Sequence, residues 1–256
     1  MGVASIPVVA ILAIAFGVFG VAAGFTYRSI PLQVGLGVFL ILGVSIIIAR
    51  VSAKSFLATG SSNVLLLGVA VLEFGVIAAL GGYVFSQSVD DGVAVYLLGA
   101  LTAGSVHLVS GYLTYHGSPR RTSHLKNRVV VSYTLAVVFA LILAFLSLLG
   151  VFGSVLGLQD SLVKSAVLSL IFITFLTSSY FFSRVYLRSH STVLYWYSMA
   201  LAMTAFGYLS FFTNKTTGDM GQWIGIAGLS LGSIYFLASV RATSKPTLLK
   251  GPSQIR

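Results

Sequence analysis

Runs of about twenty apolar residues fill this chain, and a run of that length is what one helix needs to cross the ~30 Å hydrocarbon core of a bilayer. Eight segments qualify: 7–27, 31–49, 62–86, 92–115, 129–153, 162–183, 192–213 and 221–240. Lipid offers no partner to a backbone N–H or C=O, so such segments fold as helices that satisfy themselves. Composition agrees: 57% of residues are hydrophobic and 8% charged, against about 25% charged in a soluble domain. The chain is expected to be an all-α integral membrane protein, a bundle of about eight transmembrane helices. Residues 1–240 form one transmembrane domain and residues 241–256 a short basic tail, with no linker between the halves.

The connections between segments carry the charge, and they carry it unequally. One set of ends holds Arg50, Lys54, Arg120, Arg121, Lys126, Arg128, Arg184, Arg188, Arg241, Lys245, Lys250 and Arg256, which is 12 of the 15 basic residues. The opposite set holds Arg28, Lys164 and Lys215 together with all four aspartates, Asp90, Asp91, Asp160 and Asp219. By the positive-inside rule the basic set faces the cytoplasm, which puts both termini there, in a multi-pass cell-membrane protein. Trp196 near the inner end of the seventh segment and Trp223 near the outer end of the eighth suit an interfacial belt, as does Tyr195-Trp196-Tyr197. Cleavage of the first segment as a signal peptide would leave seven helices with the N-terminus outside. The net charge of +10 is thereby an orientation signal and a contact for anionic lipids at the cytoplasmic loops. Its placement argues against nucleic acid.

One residue breaks the apolar pattern. Glu73, in VAVLEFGVIAAL, is the only glutamate, and it lies ~17 Å along its helix from Ser62, near the bilayer midplane. A carboxyl at that depth has to be protonated, paired or wet. On the next helix His107 lies ~12 Å from the inner end. It sits in a stripe of small or polar residues, Ala100, Ala103, Gly104, Ser110, Gly111 and Thr114, whose spacing turns one face toward protein. A hydrogen-bonded Glu73–His107 pair is therefore expected, either as a proton-responsive or ligand-binding element or as a clasp between two helices.

Thr174, Thr177 and Ser178, with Ser110 and Thr114, are candidates to line a polar cavity; hydroxyls bonding back to their own helix would account for the same run. Gly225, Gly228 and Gly232 on the last segment, and Gly20 and Gly24 on the first, form close-packing seams. No catalytic residues and no metal ligands are expected, and no cofactor. Cysteine is absent, the last segment lacks the mid-helix lysine that retinal needs, and His107 has no second intramembrane histidine for haem. No HExxH or paired membrane aspartates occur, so the chain is not expected to be an enzyme.

The stretches LYWYSMALAMTAFGYLSFF and GDMGQWIGIAGLSLGSIYFLASV, about fifty residues, resemble the end of the MASE3-like group of polytopic membrane-associated sensor domains of archaea and bacteria. The shared features are the Trp-Tyr-Ser entry, the Gly-Asp loop, the Trp-x-Gly start and the Gly-x-Ile-Tyr exit. The resemblance implies an all-helical prokaryotic signal-transduction module with an inward C-terminus. Such domains feed a cytoplasmic output domain, whereas here sixteen residues follow Val240, interrupted by Pro246 and Pro252. The expected function is a non-enzymatic, stand-alone sensor or ligand-binding module that acts through a protein partner or as a homo-oligomer. A structural subunit of a larger membrane complex and a small-solute or proton transporter are the alternatives.

Overall fold

The computed structural model describes residues 27, 29–117, 124–156, 162–213 and 218–243. Among them the chain forms seven long helices and no strand. We label them α1 (Ile30–Thr59), α2 (Ser62–Gln87), α3 (Val89–Tyr115), α4 (Leu125–Leu148), α5 (Leu162–Ser189), α6 (Thr192–Ser210) and α7 (Met220–Thr243). All but α6 are long and apolar enough to cross a membrane, which makes this a multi-pass membrane protein. At nineteen residues α6 is the shortest, and Tyr195, Trp196, Tyr197 and Tyr208 dilute its apolar character. The expected first segment, with Gly20 and Gly24, lies outside the described residues, as does the tail beyond residue 243.

Two helix ends correct the expected boundaries. The first described helix does not stop at residue 49 but runs to Thr59, so Arg50 and Lys54 lie on a helix and not in a loop. Nothing in the sequence breaks the helix until Gly60, whose φ of 69° supplies the left-handed residue that ends it. Long basic side chains reach the interface from a helix as well as from a loop. The fifth helix likewise extends to Ser189, carrying Arg184 and Arg188 on its last turns.

Helix starts are set by local chemistry. Pro31 lies in the first turn of α1, where its missing N–H costs nothing. Ser88 caps α3 by accepting from Asp91 N at 3.4 Å, and Asp90 and Asp91 occupy the first turn, where negative charge is favoured. Asp219 caps α7 by accepting from Gln222 N at 2.9 Å.

The packing has two centres. The larger core joins α1, α2, α3, α5, α6 and α7 through residues such as Phe74, Leu168, Phe175, Tyr197, Tyr208 and Phe236. A smaller one, Ile77, Val84, Val95, Ala140 and Ala144, seats α4 on α2 and α3. That helix is the most peripheral: Val130, Leu135, Ile142 and Phe145 all face outward. The antiparallel order of the helices gathers Lys126, Arg128, Arg184, Arg188 and Arg241 at one end and Asp90, Asp91, Asp219 and Lys164 at the other.

Candidate functional site

At the acidic end, α1, α2, α3, α5, α6 and α7 leave a mostly apolar cavity of about 70 Å³. Its polar lining is Gln33, Tyr96, Lys164, Tyr208 and Gln222. Each is brought there by the helix ends described above. Gln222 sits three residues after the capping Asp219, and its Oε1 accepts from Gly218 N, a reciprocal capping arrangement. Its Nε2 then donates to Gln33 Oε1 at 3.2 Å, tying the start of α7 to the start of α1. Trp223 strengthens that junction by donating from Nε1 to Tyr27 O at 2.9 Å.

Tyr96 donates to Ala78 O at 3.0 Å, and its ring packs where a Cβ on Gly81 would come within 3.2 Å. Tyr208 is 2% exposed and lines the cavity. Lys164, on the first turn of α5, is 4% exposed. On the α1 side the wall is Leu36, Gly37 and Ile41, part of a seven-residue π-helical stretch, Leu36–Leu42. Such wide turns are rare and often mark functional positions.

Sequence reasoning expected Glu73 to meet His107; the structure gives each a different neighbour. His107 Nδ1 lies 2.9 Å from the Tyr197 hydroxyl, a bond fully within the bundle. Glu73 is 4% exposed and lies beside Thr102, whose hydroxyl donates to Gly99 O at 2.9 Å. The reason is azimuth. Thr102 and His107 are five residues apart, which places them ~140° apart around α3. Thr102 lies one turn from Gly99, whose missing Cβ makes room for Ile77 of α2, so it faces the α2–α4 side. His107 faces α5, α6 and α7. Depth also favours Thr102: it lies ~20 Å from the Tyr115 end, closer to the ~17 Å of Glu73 than His107 at ~12 Å.

The small-residue stripe on α3 does face protein. Ala100, Ala103, His107 and Ser110 are all at most 1% exposed, and the Gly104 and Gly111 positions abut Phe175 and Phe182 of α5. The hydroxyls do not line the cavity. Ser110 donates to Asn63 O at 3.0 Å, Thr114 to Ser110 O at 2.7 Å, Thr174 to Ile171 O at 2.9 Å and Ser178 to Thr174 O at 2.6 Å. Thr177 is not among the cavity residues either. Backbone carbonyls within the bundle absorb these groups, as is usual for hydroxyls in apolar helices.

Gly225, Gly228 and Gly232 form the seam between α7 and α6. A Cβ on Gly228 would stand 2.8 Å from Gly207 Cα, and one on Gly232 2.8 Å from Thr204 Oγ1. Gly207 is the matching glycine that reading α7 alone overlooks. The aromatic triplet splits: Tyr195 and Trp196 are partly exposed at the basic end, while Tyr197 is 1% exposed and belongs to the core. A continuous set of rings links the cavity to that core. Tyr208 stacks on Phe175 at 6.1 Å, Phe175 meets His107 at 5.6 Å, and His107 meets Tyr197 at 5.8 Å and Phe236 at 6.1 Å.

The residues missed from sequence are Gln33, Tyr96, Thr102, Tyr208 and Gln222. The Asp-x-x-Gln spacing of Asp219 and Gln222 was a readable capping signal; the tyrosines carried none. No family model, curated protein or solved structure matches the chain.

Proposed function

We propose that this protein is a non-enzymatic ligand-binding module of the membrane, a stand-alone sensor that acts through a protein partner, with the cavity at its acidic end as the ligand site. The observation that carries the reading is the cavity itself: a partly open, mostly apolar space between six helices, with Lys164 and Tyr208 among its few polar residues. A few polar groups in an apolar pocket is the usual make-up of a small-molecule site. The MASE3-like resemblance of α6 and α7 supports a sensory role. In this reading α6 and the segment at 7–27 complete eight spans. The basic end lies in the cytoplasm against anionic lipid, and the cavity opens to the other side.

The test is thermal unfolding of the purified protein in detergent against a panel of small metabolites. A saturable rise in unfolding temperature that is lost when Val93→Trp or Leu97→Phe fills the cavity supports the reading. A panel without such a compound, or a rise that survives both filled variants, removes it.

The π-helical stretch along the cavity favours transport as the second reading, because transporters place interrupted helices at their substrate sites. Flux of the bound compound into proteoliposomes separates the two: a sensor binds without net uptake.

A further inference from the structure

Glu73 is the ionisable group that the cavity leaves unexplained. It shares one stripe of α2 with Ile77, Leu80 and Val84, at steps of three and four residues. Ile77 and Val84 pack with Val95 of α3 and with Ala140 and Ala144 of α4, so the stripe faces a seam where three helices meet. Gly99 of α3 receives Ile77, and Thr102, one turn on, lies beside Glu73. On α4 the Tyr133 hydroxyl stands against Gly68, and Ala140 shares the smaller core with Ile77. Those two contacts bracket Glu73 and set it level with Ala136, which is 6% exposed.

The seam offers a carboxylate no counter-charge. Arg50 and Lys54 of α1 are exposed. On α3, Tyr96 donates to Ala78 O at 3.0 Å and His107 bonds Tyr197 on the opposite side; Asp90, Asp91, Tyr112 and Tyr115 lie at the two ends. On α4, Tyr133 donates to Ala49 O at 2.7 Å, and Lys126 and Arg128 are exposed in the first turn. No charged group acts on Glu73 among the described residues. An unpaired carboxylate among apolar walls is costly, and a neutral acid far less so.

We propose that Glu73 is a proton-binding site that controls the seating of α4. With the proton bound, the seam closes over a neutral acid. With the proton released, the acidic half of α4 swings outward and water reaches the carboxylate. Two features favour such a swing. The Tyr133–Ala49 bond pins α4 in its basic half, whereas beyond it the helix is seated by Ala136, Ala140 and Ala144. The closed seam also buries Ser147, on the same face of α4, at 0% exposed with its hydroxyl unpartnered, a cost that opening removes. The site lies across α2 and α3 from the cavity and does not depend on it.

The chain has no cysteine, so Tyr83→Cys on α2 and Phe145→Cys on α4 give unique sites for spin labels. Both positions are outward-facing, at 59% and 61% exposed. Their separation is measured in lipid nanodiscs from about pH 4 to about pH 10, a range that brackets an ordinary carboxyl and a strongly desolvated one. The expected result is a short distance in acid that lengthens in alkali by about 3 Å, the width of one water layer. With Glu73→Gln, which cannot ionise, the short distance is expected throughout. A separation that ignores pH overturns the proposal, and so does an equal lengthening in the Glu73→Gln protein. Infrared spectra supply a readout that needs no substitution at Glu73. A carboxyl in water is ionised above about pH 6, so an acid C=O band that persists above it and disappears in step with the lengthening supports the site. A lengthening without that band overturns it.

Discussion

The Tyr197 hydroxyl and His107 Nδ1 meet at 2.9 Å with each residue 1% exposed. This bond ties α3 to α6 across the middle of the bundle. Removing the hydroxyl by Tyr197→Phe leaves the imidazole nitrogen without its partner. Interhelical hydrogen bonds in membranes are worth about 0.6–1.7 kcal/mol, so a loss of about 1 kcal/mol is expected. His107→Ala also leaves a hole among Phe175, Tyr197 and Phe236 and should cost about 3 kcal/mol. Unfolding titrations of the two single variants and the double variant measure the coupling. Strictly additive losses would mean the bond contributes nothing.

Glu73 and Thr102 face α4, away from the cavity. Glu73→Gln keeps a hydrogen-bonding group of the same size beside Thr102, so stability should change by less than about 1 kcal/mol. Ligand binding in the cavity should be unaffected. Thr102→Val removes a hydroxyl that donates to Gly99 O at 2.9 Å, and is expected to cost about 1 kcal/mol. A Glu73→Gln protein that folds normally but loses cavity binding would place the carboxyl in the site and contradict this geometry.

Glycines on this chain separate into those that are filled against a neighbour and those that are not. Gly228→Ala drives a methyl to 2.8 Å from Gly207 Cα, and overpacking of this kind typically costs about 1–3 kcal/mol. Gly35 has nothing within 4 Å of the same position, so Gly35→Ala should stabilise α1 by about 0.5–1 kcal/mol through helix propensity. Unfolding midpoints of the two variants should move in opposite directions.

The π-helical stretch of α1 holds one residue more than α-helical turns would need. Phe39 within it is 80% exposed, so its deletion removes little packing. Deletion of Phe39 is expected to return the stretch to α-helix while Gln33 keeps its register against α7, because the wide turn already absorbs that residue. The contact with Gln222 should persist and the protein remain folded and monodisperse, so a change in cavity binding reports the reshaped wall at Leu36, Gly37 and Ile41. Unchanged ligand affinity in a folded deletion protein would show that the wide turn has no bearing on the site.

Helix class, six of the eight expected spans and the glycine seam of α7 were legible because lipid imposes one rule on every segment: stay apolar and keep the backbone satisfied. The protein-facing stripe around His107 was legible for the same reason, since small residues repeat on one face. The neighbours of Glu73 and His107 were not. Depth along a helix follows from residue number, but the rotation of α3 against α2 depends on how Gly99 receives Ile77 and how Gly104 receives Phe175, which no single segment encodes. The cavity escaped because its polar residues come from the ends of separate helices, and Tyr96 and Tyr208 look like any other membrane tyrosine. Tyr197 was assigned to the interface by its neighbours Tyr195 and Trp196, although it is the one of the three that turns inward.

The rings running from Tyr208 through Phe175 to His107 and Tyr197 also behave as a piece of machinery. Close-packed interiors have low compressibility and transmit strain. Under the proposed role, a guest that displaces the Tyr208 ring would push on Phe175, and through it on the His107–Tyr197 bond between α3 and α6. Under the proposed ligand-binding role the column would be a pushrod: a shift of a fraction of an ångström at the acidic end would arrive in the middle of the bundle as a change in how two helices lie against each other.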